Sequence, residues 1–247
     1  MSTVARKNDA FGEVIWAYFN GGPPCEIVER DDGYIGAAES TLQYFAEFSH
    51  WPRRQKTAIR FVRGTRALDV GCGAGRVALF LQKKGIRVTA IDSSPLAVRT
   101  CKKRGVKDAR VMRFEEIGRL RRKKHFNTIV MFGNNFGLFG SYRKAKKLLR
   151  TLHRLTTDEG LIVAESINPY KTDDPAHLRY QRLNRRRGRM AGQIRIRIRF
   201  QRCATPWFDY LFVSPEEMKD ILQGTGWKAR RFIGDGSARY VAVIEKV

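Results

Sequence analysis

The segment Asp69-Val70-Gly71-Cys72-Gly73-Ala74-Gly75 sets a carboxylate two residues ahead of three alternating glycines. It follows an apolar run and opens a helical pattern. Glycine lets a backbone turn tightly and approach a ligand, because no Cβ intervenes. The spacing points to a ligand cradle, and not one for phosphate. A pyrophosphate is met by G-x-G-x-x-G at a helix N-terminus. Here the third glycine comes one residue early, and Asp69 would face a ligand carrying positive charge. A second acidic residue, Asp92, closes the next apolar run, Val88–Asp92.

Other chemistries find little support. Cys25, Cys72, Cys101 and Cys203 form no C-x-x-C pair, and His50, His125, His153 and His177 lack metal-ligand spacing. Neither a disulfide framework nor a metal site is expected. No histidine falls at the end of a strand, so no general base stands at a motif position. The polar residues that remain at such an edge are Gly133-Asn134-Asn135-Phe136.

The elements that must position these residues alternate. The expected strands are Ala67–Val70, Val88–Asp92, Ala109–Phe114, Thr128–Phe132 and Leu161–Glu165. Helices run between them: one from Gly75 to Lys84, one capped by Ser94 with Pro95 at its first position, and one from Ser141 to about Leu155. Strand and helix in alternation imply right-handed crossovers and a parallel sheet covered on both faces. The pattern breaks at Gln193–Phe200, where Ile194, Ile196, Ile198 and Phe200 alternate with Arg195, Arg197 and Arg199. Period two with one apolar face is a half-exposed antiparallel strand, and Trp207–Val213 can return along it. Ser214-Pro215-Glu216-Glu217 is a capping box. Arg230–Ile233 and Tyr240–Glu245 close the chain as a hairpin. The expected fold is α/β: a Rossmann-like, seven-stranded, mainly parallel sheet with helices on both faces and a small antiparallel β insertion. Residues 51–167 and 214–247 form the core, 168–213 a β-ribbon that helps build an acceptor pocket, and 1–50 a helical lid.

On these residues the chain resembles the class I S-adenosylmethionine-dependent methyltransferases, including a methyltransferase-domain group that names no acceptor. The first family motif is matched by Asp69, Gly71, Gly73 and Gly75, and the second by Asp92, whose carboxylate can accept both ribose hydroxyls. The third is matched by Phe114-Glu115-Glu116, where either glutamate can face the adenine, and the fourth by the segment from Phe126 to Gly137. The resemblance implies that S-adenosyl-L-methionine is bound, and S-adenosyl-L-homocysteine released, by these residues with Cys72, Ser93, Gly133 and Asn134. It places Asn134, Asn135 and Phe136 beside the acceptor. Some amine-directed relatives carry Asn/Asp-Pro-Pro-aromatic there, and this chain lacks the prolines. Tyr34, in a DDGY turn, is a candidate lid residue, and Trp207 a candidate contact from the insertion.

The 247 residues carry 48 Lys and Arg against 24 Asp and Glu, a formal charge of +24. From Ala176 to Phe208 there are ten Arg and no acidic residue. Two readings follow: a small-molecule acceptor with the charge serving solubility, or an RNA acceptor meeting the arginines. A nucleic-acid-binding protein with a vestigial cofactor site is a third, opposed by the intact glycines, Asp69 and Asp92. Basic residues are spread over the core helices, including clusters at Arg119–Lys124 and Arg143–Lys147, which favours the first reading. No uncharged run reaches a membrane span, and Asp9 and Glu13 fall where a signal peptide would be apolar. The cytoplasm is the expected location.

Overall fold

A computed structural model describes residues 8–38, 40–120 and 125–247. Residues 121–124 of the basic cluster Arg119–Lys124 lie outside them. The main sheet contains β3 (Arg66–Val70), β4 (Arg87–Asp92), β5 (Asp108–Val111), β6 (Phe126–Met131), β7 (Thr156–Ile167), β11 (Trp227–Gly234) and β12 (Arg239–Lys246). Its order is β11-β12-β7-β6-β3-β4-β5. The four pairings among β3 to β7 are parallel, and β12 and β11 add on antiparallel. The strand order reverses beside β3: β4 and β5 lie on one side, β6 and β7 on the other. That reversal opens a crevice outside the strand C-termini.

The strands are buried on both faces because their side chains alternate between two cores. Leu68, Val70, Ile129 and Met131 join one, and Ala67, Ala90, Val130 and Val163 the other. The helices between them start where their caps dictate. In α4 (Arg76–Lys83) the helix begins directly after Gly75. In α5 (Pro95–Lys103) Ser94 accepts from the Ala97 amide, and in α6 (Tyr142–Leu155) Ser141 accepts from that of Lys144. The Ser214–Glu217 capping box starts α8 (Pro215–Leu222).

Two elements differ from expectation. The third strand ends at Val111, and Phe114 belongs instead to a 3-10 turn over Phe114–Arg119 capped by Arg113. The N-terminal fifty residues are only partly helical. After α1 (Ala10–Phe19) come β1 (Glu26–Arg30) and β2 (Ile35–Ala38), joined through the DDGY turn with Gly33 at φ +87. Glu26–Arg30, with buried ends and a half-buried middle, carries no clear period to announce a strand. This one exists because the edge of β8 (Gln193–Phe200) pairs with it.

The second sheet therefore unites both ends of the cap: β10 (Phe208–Leu211), β8, β1 and β2, with β9 (Cys203–Ala204) on β8. Ile196, Ile198 and Phe200 are buried, and Ile198 and Phe200 pack against Ala10 and Val14 of α1. The arginine face is matched by carboxylates across the strands. Arg197 donates to Glu29 at 2.8 and 3.0 Å, Arg199 to the same carboxylate at 3.3 Å, and Arg195 pairs with Asp209 at 3.5 Å. The insertion also contains a helix the sequence reading passed over, α7 (Pro175–Arg186), capped by Asp174. It clasps the hairpin turn: Tyr180 donates to Asp31 at 2.6 Å, and Arg30 to the Ala176 carbonyl at 3.2 Å.

Candidate active site

The loop after β3 wraps around the end of β4. The amides of Gly71 and Cys72 donate to the Ile91 carbonyl at 2.9 and 3.1 Å. All three loop glycines have positive φ, a region that L side chains rarely adopt. At Gly73, φ +54, a Cβ would also stand 3.4 Å from the Tyr44 ring. Asp92 is buried, and its two oxygens accept from the amides of Gly73 at 3.0 Å and Ser94 at 2.9 Å. Each oxygen keeps a lone pair for a hydroxyl. Burial raises its pKa to about 6, against the lowering effect of those amides.

Asp69 is 2 % exposed, and burial pushes its pKa up to about 7 although Arg76 opposes the shift. Its Oδ2 has no hydrogen-bond partner. Arg76, also buried, donates from Nη2 to Gln55 at 2.9 Å and lies over the Trp51 ring at 4.8 Å, while its Nη1 has no partner. Burial lowers its pKa. A buried carboxylate and a buried guanidinium, each with one orphaned atom, border one cavity. Leaving such atoms unpaired costs about 1–3 kcal/mol each, and more for charged groups. An amino-acid zwitterion, ammonium to Asp69 and carboxylate to Arg76, satisfies both. The donor set thus fits the methionine end of S-adenosylmethionine, and Asp92 fits its ribose.

Beneath the loop, Glu165 is fully buried and accepts from Arg54 at 2.7 Å, Gln55 at 2.6 Å and the Gly133 amide at 2.7 Å. This network holds the loop after β6. There Asn134 has φ +64, its carbonyl accepts from Tyr210 at 2.8 Å, and its Oδ1 is buried without a partner. Asn135 donates to the carbonyls of Val70 and Gly71 at 2.9 Å each, tying the two loops together. Phe136 is fully buried against Phe139, with ring centres 4.8 Å apart, so it is a core residue and not an acceptor contact.

The remaining expected residues fall around the same space. Tyr34 and Ser93 line it. So do Phe114, Glu115 and Glu116; Glu116 pairs with Arg119 at 2.7 Å and accepts from the Arg113 amide. The Cys72 sulfur is 3.6 Å from that of Cys101, whose thiol donates to the Gly73 carbonyl at 3.0 Å. Trp207 borders the cavity, but its ring lies under the Arg197 guanidinium at 4.7 Å. The register explains this: Phe208 and Tyr210 oppose Ile196 and Ile194, so Trp207 is on the arginine face. Tyr210, not Trp207, is the aromatic that reaches the loop after β6. Arg54, Gln55, Arg76, Glu165 and Tyr210 were not singled out in the sequence. The acid ending an apolar strand, at Glu165, was the one available signal.

Between the two sheets is a cavity of about 1650 Å³. Its floor is the Asp69–Gly75 loop, Asp92 and Gly133–Asn135, and its roof is Val28, Ile196, Ile198, Phe208 and Tyr210. Single-ligand pockets span about 300–1,000 Å³, so there is room for two molecules side by side.

A Rossmann-like sheet with an acidic, glycine-built floor and an apolar roof over a second space has room for a cofactor and a second ligand, as a group-transfer enzyme needs. A family model described as a methyltransferase domain matches residues 67–160. A S-adenosylmethionine-dependent methyltransferase from Bacteroides fragilis, solved with S-adenosyl-L-homocysteine, superposes with a TM-score of 0.81 at 27% identity, covering 98% of this chain and 96% of that one. The "Probable cobalt-precorrin-6B C(15)-methyltransferase (decarboxylating)" of Pyrobaculum aerophilum is 28% identical over 159 residues, 62% of this chain and 73% of that protein. The ubiquinone biosynthesis O-methyltransferase of Xylella fastidiosa is 31% identical over 101 residues, 32% of this chain and 41% of that protein. The family model, the Bacteroides fragilis structure and the Pyrobaculum relative together support a class I S-adenosylmethionine-dependent methyltransferase.

Proposed function

We propose that the enzyme methylates a small-molecule acceptor held between its two sheets. The observation that carries this reading is the single cavity that joins the motif loop to the apolar roof. When bound, S-adenosylmethionine supplies an electrophilic methyl group on a sulfonium. Asp69 and Arg76 hold its amino-acid end and Asp92 its ribose. Glu115, which makes no ion pair among the described residues, takes the adenine amino group, because Glu116 is already engaged. Asn134, with its orphaned Oδ1, positions the acceptor, and the roof excludes water. The leaving group departs neutral, so alignment does most of the work, with about 7–11 kcal/mol available from proximity.

In this reading residues 51–167 and 214–247 hold the cofactor, while 1–50 and 168–213 hold the acceptor. The cytoplasm belongs to the same proposal. No helix of the described residues is long and apolar enough to cross a membrane. The RNA reading gains no support from the ribbon, whose arginines are matched by Glu29 and Asp209. The test is incubation with methyl-labelled cofactor and fractionated cell extract. Label in a small-molecule fraction is expected, and label confined to RNA would overturn the reading.

A further inference from the structure

The cavity is lined by groups of both charges. Its cofactor half carries Asp9, Asp69, Asp92, Glu115 and Glu116 against Arg76 and Arg113. The same lining also holds Arg30, which pairs with Asp32, and Lys144, Lys171 and Arg239. Of the carboxylates there, Asp209 is matched by Arg195. Glu26 stands at the seam and accepts from Tyr44, whose ring lies beside Gly73.

Arg30 is the unusual member. It is 6 % exposed, and the register sets it on the roof face, opposite Ile196. A guanidinium on an apolar roof is costly unless something holds it. Its Nε and Nη2 donate to Asp32 at 2.7 and 2.8 Å, and its plane lies between the rings of Tyr180 at 4.2 Å and Tyr34 at 4.7 Å. Nη1 makes no hydrogen bond among the described residues. The side chain is thus fixed before any ligand arrives, with one donor edge uncommitted, so little rotamer freedom is left to lose on binding. Lys144, Lys171 and Arg239 form no ion pair among the described residues and add positive potential around the same space.

We infer that the acceptor is an anionic small molecule, an apolar body bearing a carboxylate or phosphate, whose oxyanion is bound by Nη1 of Arg30. The inference rests on the acceptor site proposed above. Guanidinium-to-oxyanion bonds are the strong, directional kind, and the cationic cofactor has its own carboxylates at Asp69 and Asp92.

The test uses the protein loaded with S-adenosyl-L-homocysteine and two apolar fluorescent probes: anionic 1-anilinonaphthalene-8-sulfonate and its neutral relative N-phenyl-1-naphthylamine. The anionic probe is expected to bind more tightly. Arg30→Gln is expected to weaken it on the order of tenfold without changing the neutral probe. Arg30→Lys, which keeps the charge and the packing stem, should recover part of the loss. Arg239→Gln, at the rim, should weaken only the anionic probe, by a smaller factor. Arg179→Gln, on the exposed face of α7 and outside the cavity, should change neither. Equal binding of the two probes, or equal losses in Arg30→Gln and Arg179→Gln, would overturn the inference. So would a labelled product from extract that passes an anion exchanger unretained. If no fraction takes label, the methyl-transfer reading fails, while the probe comparison still decides the charge preference of the cavity.

Discussion

Asp92 spends one lone pair of each oxygen on a backbone amide and offers the other to a ligand. Asp92→Ala removes two loop contacts and, in the proposed site, two charge-assisted hydrogen bonds to ribose. Cofactor affinity measured by calorimetry is expected to fall at least roughly tenfold. Protonation should show the same dependence. Burial holds Asp69 at about 7 and Asp92 at about 6, so both are partly neutral in mild acid. Ionised carboxylates are needed for the ammonium and the ribose, so affinity for S-adenosyl-L-homocysteine should tighten as pH rises through about 6 to 7. Asp69→Asn should flatten that slope. The ligand-free protein should behave oppositely. With Glu26 also raised to about 7, the folded chain keeps protons that the unfolded chain has released. Its stability therefore falls as pH rises from the ordinary carboxylate range to about 7. Asp69 and Asp92 were legible in the sequence because residue type and spacing alone define them. The partners of Glu165 were not, since Arg54 and Gln55 lie more than a hundred residues from it and leave no local pattern. Phe136 was misread because a strand end is also where core aromatics turn inward.

The loop after β3 and the loop after β6 act as one element, joined by Asn135 and held from below by Glu165. Glu165→Ala leaves the Arg54 guanidinium short of a partner in the core. Arg54 keeps its pair with Asp235 at 2.7 Å, so a loss of about 1–3 kcal/mol in a urea melt is expected, together with weaker cofactor binding as the Gly133 amide is released. Gly73→Val should block the cofactor and also lower the melt by about 1–3 kcal/mol, because a β-branched residue at φ +54 is strained. Normal binding of S-adenosyl-L-homocysteine by that variant would mean the loop faces elsewhere. In the ribbon, replacing Arg197 and Arg199 by Gln should lower the unfolding temperature while leaving cofactor affinity intact, since both are tied to Glu29. The alternation of β8 made its two faces readable. Its partner β1 was not, because a five-residue strand with buried ends and half-buried middle carries no clear period. The helix α7 was obscured by its charge, although Asp174 and Pro175 mark its start.

At the scale of the molecule, the parallel core was legible because each crossover repeats the same strand, glycine and cap grammar. The cap was not, because it is assembled from two segments that are far apart in the chain. Glu29 of β1 meets Arg197 of β8 across 168 residues of sequence. The first strands made are thus among the last to be paired. At roughly 5–20 residues per second, the β1–β2 hairpin leaves the ribosome about ten to thirty seconds before β8 can cover its edge. During that interval it is an open strand edge, the kind of surface that recruits other chains. Nascent chains stalled before Gln193 should therefore bind chaperones and associate with one another, and those stalled beyond Leu211 should not. Moving the hairpin to follow β8 by circular permutation should shorten the wait and raise soluble yield. The two-segment roof proposed to cover the acceptor is also the part of the chain left exposed longest during synthesis.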